Sequence, residues 1–65
     1  MNAAIDLGTL EHLANERAAL AAQRAELTAR IEHAVREAHA AGMSELEIGR
    51  RMGVARMNVR KWLGK

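Results

Sequence analysis

The sequence predicts an all-α fold in which one long N-terminal helix, pairing with a second copy as a coiled coil does, runs into a small three-helix head. Three observations carry this. The 65 residues contain no Pro and a single aromatic, Trp62, whereas strands draw on aromatic and β-branched side chains. From Leu10 to Ala41 neither Gly nor Pro interrupts a run dominated by Ala, Leu, Arg, Glu and Gln. Beyond that run, Gly42 and Gly53 divide the remaining chain into two short segments, each with an apolar side. The absence of Cys excludes disulfides and thiolate metal sites, which leaves close helix packing or a second chain as the source of stability at this size.

Taken in order, residues 1–8 read as a tail and 9–41 as one helix. Thr9 is the expected N-cap, with Glu11 in the first turn, and Gly42 falls just past the end. Glu26–Arg30 and Glu32–Arg36 are set as (i, i+4) pairs in the favourable order. A helix of this length spans on the order of 50 Å, more than a globule of this size can contain, so part of it must project.

The projecting part has a seam. Leu13, Leu20, Leu27 and Ala34 recur every seven residues, with Leu10, Arg17, Arg24 and Ile31 three residues before each. A homodimer through residues 10–31 is expected, because a solitary stripe of exposed Leu is an aggregation liability. Parallel pairing would oppose Arg17 to Arg17 and Arg24 to Arg24. Antiparallel pairing instead sets Leu13 against Ile31, Arg17 against Leu27 and Leu20 against Arg24, with each Arg stem lying on a Leu.

Residues 42–65 form the rest of the head. Ser44 and Glu47 have the spacing of a capping box. Leu46, Ile48 and Met52 give the following short helix an apolar side, Gly53 stands at a sharp turn, and Val54 plugs it. A last helix over about 55–63 puts Val59, Trp62 and Leu63 on one side. The expected core packs Ile31, Val35 and Ala38 against these apolar residues. On the opposite side a rotation of about 100° per residue turns Met57, Arg60 and Lys61 outward, with Arg56 and Asn58 on the flanks.

Charge is segregated to match. The net charge of +2 divides into −2 over residues 1–43 and +4 over residues 44–65. Arg can fork onto guanine, Asn can pair with adenine, and Met can touch a thymine methyl, so Arg56, Met57, Asn58, Arg60 and Lys61 are the candidate base contacts. Arg50, Arg51 and Lys65 are better placed for phosphates.

The run from Ser44 to Leu63 resembles the helix-turn-helix. Gly49 lies four residues before the turn glycine Gly53, and Ile48, Met52, Val54, Val59 and Trp62 occupy the family's packing positions. The likeness is greatest to resolvase C-terminal domains, sigma-factor region-4 modules and small phage or bacterial regulators. It covers roughly a third of the chain, or half if residues 31–41 supply the first helix of the trihelical unit. Ala55 departs from the pattern, since Ser or Thr often caps the recognition helix there. The resemblance implies sequence-specific binding of double-stranded DNA in the major groove by a homodimer, and a role in transcription regulation. It also implies a cytoplasmic, nucleoid-associated location. The alternative is an interaction or architectural protein whose long helix docks on a protein partner and whose head binds DNA without sequence preference.

Enzyme chemistry finds no support in the residues. His33 and His39 are six apart on different helix faces, no paired carboxylates or nucleophile–His arrangement is evident, and no Gly-rich loop leads into a helix. Neither metal nor cofactor is expected. No apolar run reaches the roughly 20 residues that cross a bilayer, and no signal-peptide layout is read at the N-terminus.

Overall fold

Asp6 rather than Thr9 begins the long helix in the computed structural model, which describes residues 6–65. Helix α1 runs Leu7–Ala40. The Asp6 carboxylate accepts the Thr9 N–H at Oδ1 (3.1 Å) and the Thr9 hydroxyl at Oδ2 (2.6 Å). Thr9 is the third residue inside the helix rather than its cap, and these two bonds, the hydroxyl's first, hold the Asp6 carboxyl below the ordinary carboxylate range. Of the expected tail, residues 1–5 lie outside the described residues, while Leu7 and Gly8 belong to the helix. The pairs Glu26–Arg30 and Glu32–Arg36 do not close. The close side-chain pairs of α1 are His12–Glu16 (3.2 Å) and His33–Glu37 (3.4 Å), and all four side chains are exposed.

Helix α2 spans Glu45–Met52 and α3 spans Arg56–Trp62. All three helices end in the same way. Just past each helix an amide returns to a carbonyl five residues back: Met43 to Ala38 (3.0 Å), Val54 to Gly49 (3.0 Å) and Lys65 to Arg60 (2.9 Å). The residue before each of these is a glycine with positive φ, namely Gly42, Gly53 and Gly64. At Gly53 the left-handed conformation (φ 70°, ψ 33°) reverses the chain between α2 and α3 within three residues. Ser44 caps α2 as expected, accepting the Glu47 N–H at 3.1 Å. The reciprocal half of the capping box is missing, because the Glu47 carboxylate turns to Arg51 instead (3.0 Å).

Each helix gives one aliphatic side chain to the centre: Val35, Ile48 and Val59 are buried, and Val59 is wholly inaccessible. Ile31, Ala38, Met43, Val54, Trp62 and Leu63 close around them. Gly49 lets α2 and α3 meet, since a Cβ there would lie 3.0 Å from the Val54 carbonyl oxygen and 3.7 Å from Val59 Cγ2. Two expected core residues are not in it. Leu46 is 58 % exposed and Met52 40 %. Leu46 precedes Ile48 by two residues, about 200° around the helix, while Met52 sits on the rim of the apolar face. Met43 takes the space, at the position after a glycine helix stop where an apolar residue commonly folds back on the helix it ends.

The head occupies one end of a molecule measuring 62 × 19 × 19 Å. Residues 7–27 of α1 are exposed on every side and form an arm that projects from it. This matches the length argument.

Candidate nucleic-acid interface

Burial of Val59, with Trp62 and Leu63 beside it, fixes the rotation of α3. The ridge directly opposite carries Met57, 78 % exposed, and the exposed Lys61. Asn58, also exposed, lies on the side toward α1. It lines a shallow groove of about 440 Å³ with Lys61 and Trp62 from α3 and Arg24, Leu27 and Ile31 from α1. On the other side of the ridge, toward the start of α2, lie Arg56 and Arg60. Ala55 stands at the N-cap of α3 with no side-chain bond to the helix, so the departure from the helix-turn-helix pattern leaves that end capped by backbone alone.

The cations are not all independent. Glu45, in the first turn of α2, accepts from Arg56 Nε (2.9 Å), Arg60 Nη1 (3.1 Å) and Lys65 Nζ (3.3 Å). Its side chain is only 11 % exposed, although no part of it enters the core. The Arg56 hydrogen bond leads in pulling the Glu45 carboxyl from 4.5 down to about 2, with Lys65 and Arg60 adding to it against partial desolvation. This carboxylate is therefore ionised at any physiological pH.

Of the candidate base contacts, then, Met57, Asn58 and Lys61 are presented freely. Arg56 and Arg60 are presented from a shared anchor, and Arg60 is half-buried rather than turned fully outward. Of the candidate phosphate contacts, Lys65 joins the same anchor. Arg50 and Arg51 are exposed and lean on Glu47 at 3.8 and 3.0 Å. Nothing in the local sequence singles out Glu45. Its partners are 11, 15 and 20 residues away, and only the packing of α3 on α2 brings them together. The available signal was the i, i+4 spacing of Arg56 and Arg60, which puts two guanidinium groups on one flank.

The seam residues of the arm lie free. Leu10, Leu13, Leu20 and Leu27 are each more than half exposed, and Arg17 and Arg24 are exposed among them. Ile31 is shared, half-covered by the head core at the point where the seam enters it. Next to it, Leu27, Ile31 and Ala34 line an open apolar groove whose far wall is Met52.

Among the described residues no group of three or more His, Asp or Glu could hold a metal ion. No described helix is long and apolar enough to cross a membrane. Comparison with protein-family models, with curated proteins and with solved structures finds no match.

Proposed function

We propose that this chain binds double-stranded DNA as a homodimer, laying α3 in the major groove, and that it serves as a small transcription regulator. One observation carries the reading. Because Val59 is wholly buried, the ridge of Met57 and Lys61, with Arg60 and Asn58 on its margins, is the face that α3 offers to solvent. Its side chains supply forked and single donors, an amide and an apolar contact, the set that reads base edges. The excess of +4 over residues 44–65 supplies the attraction to phosphates.

The dimer reading rests on the unpartnered seam and its continuity with the apolar groove that Leu27, Ile31 and Ala34 line against Met52. A second copy is the favoured occupant because an antiparallel register gives every seam residue a partner. Leu13 of one chain meets Ile31 of the other where the seam enters the head. The midpoint then falls near Ala22, and the heads attach at residues 31–35 on either side. At 1.5 Å per residue the two attachment points stand about 27 to 39 Å apart, which brackets the 34–36 Å of one turn of B-DNA. Two α3 helices on successive major-groove faces would also supply the avidity that a head of this size lacks.

Selection of bound duplexes from a random-sequence pool, followed by titration of the enriched duplex, tests the reading. The expected result is a two-to-one chain:duplex complex whose affinity falls steeply with salt and at least tenfold on Lys61→Ala. Lys61 is the cleaner probe than Arg60, whose loss would also disturb Glu45. Failure to bind any duplex at low salt would overturn the proposal. Equal competition by a shuffled duplex would favour the architectural alternative.

A further inference from the structure

Glu45 is an acidic side chain at the edge of a face expected to attract polyanions, and its chemistry is not that of an incidental surface pair. It gathers three cations from both ends of α3 and the residue that closes the chain's last helix stop. Glu47, two residues on, offers the contrast. Its carboxylate is 38 % exposed and meets only Arg50 and Arg51 of its own helix, at the i, i+3 and i+4 spacings that any exposed helix provides.

The way each guanidinium is held matters. Arg56 gives Glu45 its Nε–H, which leaves the end-on pair Nη1 and Nη2 without a hydrogen bond among the described residues. Arg60 gives Nη1, which leaves the side-on pair Nε and Nη2. Each therefore retains an edge of two parallel donors, the arrangement that matches guanine O6 and N7. Both side chains keep access to solvent, at 62 % for Arg56 and 42 % for Arg60. A free arginine must be ordered from many rotamers before it can make such a fork, whereas these two are already tethered at one nitrogen. The negative charge has a second consequence, since it cancels part of the attraction of Arg56, Arg60 and Lys65 for phosphates.

We propose that Glu45 is a positioning residue for DNA recognition: it aims the free forks of Arg56 and Arg60 at base edges and restrains their sequence-independent attraction to the backbone. The inference rests on the duplex-binding reading above. Its effect is on discrimination rather than on affinity as such. Removing the anchor strengthens binding to an arbitrary duplex and weakens the preference for the chosen one.

The test compares the full chain with Glu45→Gln and with Glu47→Gln. Both substitutions remove one negative charge from the first turn of α2, but only the first releases α3. Affinities are measured over a range of salt for the duplex enriched by the wild-type chain and for a shuffled duplex of the same length. For Glu45→Gln the shuffled duplex is expected to bind severalfold tighter at low salt, with a steeper salt dependence. The ratio of enriched to shuffled affinity is expected to drop about tenfold, the loss of one bidentate contact. Glu47→Gln tightens both duplexes alike and leaves the ratio unchanged. Equal ratios in the two variants would reduce Glu45 to one more surface charge and overturn the inference, with duplex binding itself untouched. A wild-type chain that binds no duplex would instead defeat the underlying reading, and this inference with it. Should Glu45→Gln fail to fold, Glu45→Asp keeps the charge and shortens the reach. It is expected to retain wild-type affinity for the shuffled duplex and to lose discrimination, and retention of both would equally overturn the inference.

Discussion

The two ends of α1 share one continuous helical backbone, yet different forces hold them. Beyond Ile31 the helix is ordered by burial: Val35 is enclosed, and Ala38 packs against a core drawn from all three helices. Before Thr28 every described residue is exposed, and the helix rests on propensity, the Asp6 cap and an exposed His12–Glu16 pair. In proteins most helical stability comes from packing of an apolar face rather than from propensity. The head can therefore account for its own structure, while the arm carries five exposed leucines that nothing in this chain covers. The difference teaches that the core closes within a single chain, whereas burial of the periodic seam needs another surface, the part given above to the proposed second copy.

That contrast can be broken from either side. The largest effect is expected from Leu20→Glu, which puts a charge at the centre of the arm and touches nothing in the head. Sedimentation should show the mass halved, and circular dichroism should show helix lost from the arm alone. An unchanged mass would mean that the seam pairs with nothing of its own kind. Next in size is Gly49→Val, whose branched side chain has no room beside the Val54 carbonyl 3.0 Å away. Overpacking at so close a crossing costs about 3 kcal/mol, enough to melt a small head at ambient temperature while the paired arms persist. A head with an unchanged melting temperature would contradict the packing described. The smallest effect sharpens rather than breaks the contrast. Ala55→Ser adds the missing side-chain cap to α3 and should stabilise the head by about 1 kcal/mol, read as a higher midpoint in urea, with dimerisation unaffected.

What could be read beforehand divides along the same line as local and distant contacts. The stops at Gly42 and Gly53, the Ser44 cap, the need for a small residue at Gly49 and the inward stripe of Val59, Trp62 and Leu63 all depend on neighbours within about five residues, and all were legible. The third stop, at Gly64, follows the same local rule and went unread because little chain follows it. At the first cap, Asp and Thr both suit the position by type, and only the geometry shows the Asp6 carboxylate taking both Thr9 donors. Leu46 was placed inside on hydrophobicity alone, although its angle from Ile48 argues against it. In the candidate interface, the outward ridge of Met57 and Lys61 followed from helical periodicity. The anchoring of Arg56, Arg60 and Lys65 did not, because nothing in a one-dimensional chain says which flank of α3 will lie beside Glu45.

The central claim is that the solvent-facing ridge of α3, rather than the arm, meets duplex DNA. Backbone amide shifts followed while a duplex is added to the labelled chain test it most directly. The account predicts large changes over residues 55–61, smaller ones at the start of α2 and at Lys65, and none over residues 10–24. Shifts concentrated on the arm, or no shifts at low salt, would contradict it.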